Sequence, residues 1–191
     1  MPPWVPPVET KPAPMPLLLV QAFVNTYEVD TSIDLLRDPA TARSWFAEAE
    51  LLPVGEPLNP EELQVARQVR EGVRTLLIAN AGHAAGAHGL DALTSLAERG
   101  RARIRVDPEG RVRFEVEPGH GVDGALMRLL IIVRDAQVDG TWERLKACGN
   151  DECRWAFYDR SHSRRGRWCD MAGCGNRMKN RSLRARRRRP T

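Results

Sequence analysis

The sequence is short of the residues that do most protein chemistry. Among its 191 residues are four cysteines, four histidines and two tyrosines. Four cysteines allow at most two disulfides, and those need an oxidising compartment. No stretch approaches eighteen uninterrupted apolar residues, so no membrane-spanning helix is expected. Also lacking are a P-loop, a glycine-rich dinucleotide fingerprint, a nucleophile elbow and a metal-type histidine pair on a helix. With them go the common nucleotide-dependent, hydrolytic and metalloprotease classes, and the expectation is a protein that is not an enzyme. The apolar run PLLLVQAFV, 16–24, follows a proline-rich arm whose single positive side chain is Lys11, and no small-residue cleavage site comes after it. It reads as core rather than signal peptide, which implies a cytoplasmic location where clustered cysteines favour metal over disulfide.

What is present is unevenly spread. Residues 144–191 hold 15 Lys and Arg against 4 Asp and Glu, a net +11, while residues 1–143 hold 14 against 21, a net −7. An acidic body with a basic end points to a polyanionic partner for that end. The organisation read from the chain is a proline-rich flexible arm at 1–16, a mainly helical domain at 17–143 and a small module at 144–191. A module of about 45 residues cannot build a sufficient core alone and calls for a metal, disulfides or a partner.

Within the body, periodicity over so short a run does not separate helix from strand for residues 16–24; helix is the reading adopted. Asp38-Pro39 is an N-cap followed by proline at the first helical position, predicting a helix over about 39–50. Asn59-Pro60-Glu61-Glu62 is a stronger start, with Glu three residues after the cap, for a helix over about 60–79. A short helix is expected at 90–98. RARIRVDPEGRVRFEVEP, 101–118, alternates apolar and charged residues on both sides of Asp-Pro-Glu-Gly and predicts a hairpin. DGALMRLLIIVRDAQ, 123–137, is apolar nearly all round and predicts the central buried helix. His83, His88 and His120 read as surface residues, and Asn25-Thr26 as a cap or a buried hydrogen bond.

The cysteines carry the sharpest signal. Cys148-x4-Cys153 and Cys169-x4-Cys174 are two close pairs separated by a short insert, a pattern that suits one tetrahedral zinc ion. Two disulfides need an oxidising compartment. An iron–sulfur cluster also takes four thiolates, but paired symmetric spacing favours a single ion. Four protein ligands leave no open position, so the ion is expected to be structural. His162 offers an alternative ligand or the base of a metal nuclease, which four thiolates make superfluous. The insert reads as a strand, Arg154–Asp159, returning through Gly166–Cys169, with Trp155, Phe157 and Trp168 as a minimal core and Arg164, Arg165 and Arg167 on it.

Beyond Cys174, Asn176 is a candidate cap for a helix NRMKNRSLRARRRR. Arg177, Arg181, Arg184 and Arg188 fall on one stripe, widened by Lys179, while Met178, Ser182 and Ala185 fall on another face. Charge at this density repels itself in water and becomes favourable against phosphate. A solubilising tail is the bland alternative, but the charge starts at the metal site rather than past it. Asn176, Asn180 or one of the arginines is expected to reach base edges. An RNA partner stacking on Trp155 and Tyr158, or an acidic protein partner, are the competing readings.

Cys174-Gly175-Asn176-Arg177 spells CGNR. Together with RLKAC, CRWAFYDRS, SRRGRWC and CGNRMK, the stretch from about Arg144 resembles the CGNR zinc-finger family. That resemblance implies a treble-clef-like finger. In this family the finger follows an N-terminal ABATE domain of stress-induced transcription regulators, and AFVNT, DLLRDP, the hairpin and the apolar helix are similar to that domain. Where the family more often reads LDFVNT, Gln21-Ala22 precede Phe23 here. The expected fold is therefore α+β, a mainly helical domain with a hairpin plus a zinc finger. The expected partner is duplex DNA, with a homodimer or an effector engaging the N-terminal domain.

Overall fold

The computed structural model describes residues 1–87, 89–117 and 119–187. His88 and Arg188 lie outside the described residues. Among these, six helices and three two-stranded antiparallel pairs follow one another. The body comprises α1 (Leu17–Val24), β1 (Tyr27–Glu28), β2 (Ile33–Asp34), α2 (Pro39–Glu48), α3 (Pro60–Asn80), α4 (Leu90–Arg99), β3 (Ala102–Val106), β4 (Val112–Val116) and α5 (Gly121–Asp139). After a short 3-10 turn come β5 (Leu145–Ala147), β6 (Ala156–Tyr158) and α6 (Asn176–Arg187). The fold is α+β, and no helix of the described residues is long and apolar enough to cross a membrane.

The local signals place the helix starts. Asp38 accepts the Thr41 N–H at 2.8 Å, and Pro39 supplies a first position that needs no donor. Asn59 and Glu62 form a reciprocal capping box at 2.9 Å each way. The β3–β4 pair has the register that its alternation requires, with Ile104 opposite Phe114 and Val106 opposite Val112. Asp107 turns it by accepting the N–H groups of Glu109 and Arg111, and Gly110 takes the left-handed φ of +78°.

Two expectations, the central helix and the flexible arm, are corrected. The centre of the core is α1, all eight of whose residues are buried, with the Phe23 ring in tilted contact with Trp45 and Phe46. Helix α5 instead keeps a solvent face through Arg128, Arg134, Asp135 and Gln137, because its charged residues recur near helical spacing. The apolar face of the hairpin is not buried: Ile104, Val106 and Val112 stay more than half exposed. The arm at 1–16 is packed rather than free. Trp4, Val5 and Ala13 are buried in the body's core, and Trp45 Nε1 donates to the Trp4 carbonyl at 3.2 Å. Its prolines reduce the entropy lost on ordering, so a few buried apolar side chains suffice to hold it.

The finger packs directly on the body. Leu145, Ala147, Ala156 and Tyr158 belong to the same apolar cluster as α1, α3 and α5. Asn80, at the end of α3, donates to the carbonyls of Trp142 and Leu145 at 3.0 Å each. Asn25 brackets Ala156, accepting its N–H at 2.8 Å and donating to its carbonyl at 2.9 Å, which bears out the buried hydrogen bond expected of that residue.

Candidate metal centre and nucleic-acid interface

The four sulfurs meet beyond the β5–β6 pair. Strand β6 pairs with β5 in the register Leu145↔Tyr158, Lys146↔Phe157, Ala147↔Ala156. The expected return strand at 166–169 is therefore replaced by β5, and that segment is joined backbone to backbone by a bond from Gly149 N to the Arg167 carbonyl at 2.9 Å. Cys148 leaves β5, its N–H held by the Trp155 carbonyl at 2.9 Å. The chain then turns through Asn150, whose carbonyl accepts from Cys153 N at 2.9 Å and Arg154 N at 3.0 Å. Arg154 completes the turn at a φ of +52°. That extra turn is what lets a four-residue gap bring two sulfurs together.

The second pair is assembled differently. Asp170 accepts from Ala172 N at 3.2 Å and Gly173 N at 2.6 Å, opening a π-helical turn over Met171–Gly175 that carries Cys174 and runs directly into α6. Asn176 is already helical at φ −69°, ψ −40° and donates to the Ala172 carbonyl. The cap expected of Asn176 thus belongs to Asp170.

All four sulfurs lie within 4.8 Å of one another, with Cys153 to Cys169 at 3.7 Å and Cys169 to Cys174 at 3.9 Å. A zinc–sulfur bond of about 2.3 Å gives a tetrahedron with edges of about 3.8 Å, so the donor set fits zinc in size and chemistry. Hydrogen bonds from Cys153 and Cys169 pull the Cys148 thiol down, while their closeness to Cys148 pushes Cys153 and Cys169 up. Sulfurs this crowded share protons until a cation neutralises them.

Two residues of the surroundings were not legible in the sequence. Asn150, 1% exposed, points its Nδ2 at Cys174 Sγ, 3.7 Å away. The only signal was a carboxamide inside the first cysteine gap. His83, read as a surface residue, reaches from the α3–α4 loop onto the knuckle. A Cβ on Gly149 would lie 2.3 Å from its Nε2, and that nitrogen has no hydrogen-bond partner among the described residues. Burial first, then Arg167 and Arg154, hold its pKa below the ordinary 6.5, which keeps the ring neutral beside the cysteines. His162 is exposed and outside the sulfur cluster.

The basic residues divide by what they touch. Lys146 is buried against Asp159, and Arg144 donates to the carbonyls of Asp159 and Ser161. Arg164 reaches Glu143 at 3.4 Å. Arg165 is exposed, and Arg167 lays its guanidinium over Trp168 at 5.6 Å. On α6, Asn176, Arg177, Lys179, Asn180, Arg181 and Arg184 are all exposed, while Met178 turns inward. Arg177, Arg181 and Arg184 line a groove of about 650 Å³ between α6 and the knuckle residues Asn150 and Glu152. Glu152 stands 3.8 Å from Arg181, both side chains being two-thirds exposed or more. Lys179, Asn176 and the arginines of the 160–167 loop do not line that groove.

The aromatic platform expected for RNA is largely withdrawn. Tyr158 is 8% exposed, and Trp155 is half-buried with its Nε1 donating to Glu9 at 3.2 Å. Both are used in joining the finger to the body.

Comparison with known families agrees with this division of the chain. Residues 144–187 match the family model described as "CGNR zinc finger". Residues 18–138 match the model named ABATE, described as "Putative stress-induced transcription regulator". No curated protein matches the chain.

Proposed function

Because the chain belongs to the ABATE family and closes with a CGNR zinc finger, we propose that it is a zinc-dependent, duplex-DNA-binding regulator of transcription, acting in the cytoplasm and without catalytic activity. Cys148, Cys153, Cys169 and Cys174 would hold one structural zinc ion. Four thiolates fill a tetrahedral ion's coordination, so its chemistry there is to fix the chain rather than to activate water.

One observation carries the reading. The fourth cysteine sits in the turn that becomes α6, so the ion that gathers the sulfurs also fixes the first turn of a helix whose Arg177, Lys179 and Arg184 have no carboxylate partner among the described residues. Arginines without internal partners are free for phosphate, where the release of counterions drives association. Phosphate contacts position a protein and do not read sequence. Base recognition falls to exposed groups of α6 such as Asn176 and Asn180, whose carboxamides suit adenine edges. The burial of Tyr158 and the tethering of Trp155 favour duplex over unpaired RNA.

The test is binding of the zinc-loaded chain to duplex DNA and to single-stranded RNA across a salt series. With about five phosphate contacts, duplex affinity falls roughly 500-fold between 50 and 200 mM salt. Equal or stronger binding to the RNA overturns the duplex assignment. Salt-independent or absent binding to both overturns the nucleic-acid reading.

A further inference from the structure

Resting on that reading, we propose that Asp159 and Lys146 are positioning residues that pre-shape the loop 160–167 as a second phosphate-binding element, separate from the α6 groove. The two form a buried ion pair, Lys146 Nζ to Asp159 Oδ2 at 2.9 Å, with residues 3% and 4% exposed. Both ends are fully used. Asp159 Oδ2 also accepts the Gly166 N–H at 2.7 Å, and its Oδ1 accepts the Ser161 N–H at 3.0 Å. Lys146 Nζ also donates to the carbonyls of Arg164 and Gly166. The pair therefore grips the loop at both its start and its end.

A buried ion pair is by itself a poor source of stability, because desolvation offsets attraction. What this one does is dictate a backbone shape. Arg164 takes the left-handed φ of +52°, with its carbonyl turned in to Lys146 while its side chain stays exposed. Gly166 has no room for a side chain, since a Cβ would lie 2.8 Å from the Asp159 carboxylate. Of the exposed arginines at 164, 165 and 167, Arg164 meets Glu143, while Arg165 and Arg167 have no carboxylate partner among the described residues. A loop holding several arginines repels itself and, if mobile, loses conformational freedom on meeting phosphate; pre-shaping removes that cost.

The experiment is a double-mutant cycle on the zinc-loaded full chain, read as affinity for duplex DNA and its salt dependence. Arg165→Ala with Arg167→Ala is expected to reduce the salt slope by about 1.8, two contacts at 0.9 each. Asp159→Asn is expected to keep its zinc, to weaken binding roughly tenfold and to lower the slope in the same way. Added to the arginine pair, Asp159→Asn should cost less than about twofold more, since the loop it shapes no longer contributes. Equal losses in both backgrounds would mean a general structural role and overturn the proposal, as would wild-type binding by a zinc-loaded Asp159→Asn. Should that variant fail to retain zinc, Gly166→Ala presses on the same carboxylate from the loop side and completes the same cycle. An arginine pair whose removal changes nothing overturns the loop's role, while a surviving effect of α6 leaves the duplex-binding reading in place.

Discussion

Asn25 and Ala156, 131 positions apart, exchange two hydrogen bonds, so that one buried carboxamide takes the place of a neighbouring strand along β6. The same Asn25 Nδ2 also meets Glu9 at 3.1 Å. Asn25→Ala leaves the buried Ala156 N–H without its side-chain partner and the Ala156 carbonyl with Gln21 alone, at a cost of about 3 kcal/mol. For a chain of this length that lowers Tm by roughly 6–12 °C. Calorimetry should show one transition moving as a whole. Two transitions, only one of them shifted, would show that finger and body are energetically separate.

Removal of the metal acts on part of the finger. Cys174→Ser, or chelation of the wild type, should abolish zinc binding and expose residues 148–154 and 168–187 to rapid amide exchange. Strands β5 and β6 should stay protected, because Leu145, Ala147 and Ala156 are packed in the body's core. Full metal content in the Cys174→Ser protein contradicts the four-sulfur assignment.

On α6, Arg181→Ala combined with Arg184→Ala takes two cations out of the groove facing Asn150 and Glu152. Affinity should fall for all duplex sequences about equally, and the salt slope should flatten by about 1.8. A loss confined to one target sequence would instead make these side chains base readers.

Acid weakens the body through Asp34. Its burial alone would raise the carboxyl, but the Arg70 guanidinium, bonded at 2.6 and 3.0 Å, outweighs burial and holds it below the ordinary 3.8. A carboxyl so lowered stabilises the fold at neutral pH, and that stability is lost as pH falls below 3.8 towards the folded value. Arg70 is buried, so Asp34→Asn, which removes its bidentate carboxylate and leaves it the ion pair with Glu71, costs about 2 kcal/mol at pH 7. The gap in Tm between wild type and variant should close as pH drops through the acid range. Release of zinc in acid affects both proteins alike and cancels in the comparison. A gap that is constant from pH 7 to pH 3 would mean that the pair is not the cause.

Much of this was legible because its causes are local. Asp38-Pro39, Asn59 with Glu62, and the Asp107–Gly110 turn each act over four residues, and each places an element close to where its signal stands. The cysteines were legible because metal ligation constrains spacing. What escaped depends on partners far along the chain. Nothing near Trp4 says that Trp45 will meet it, and nothing near Asp159 announces Lys146 across the strand pair. Periodicity marked α5 as apolar but did not rank it against α1, whose burial comes from having neighbours on every side. Aromatics and glycine point to a return strand downstream of Phe157, while the true partner Leu145–Ala147 lies upstream, hidden by its single lysine.

The packed arm also bears on how the protein is made. Glu9 and Trp155 are bonded partners 146 positions apart, and the Lys11 carbonyl receives the Tyr158 N–H. Synthesis proceeds at about 5–20 residues per second, so the arm waits roughly 10–30 s after leaving the ribosome for the strand that completes its surroundings. Over that interval Trp4, Val5 and the carboxylate of Glu9 have only part of their final contacts. The closing of the arm over β6 is therefore a late step, and it comes close in time to the appearance of the clustered cysteines.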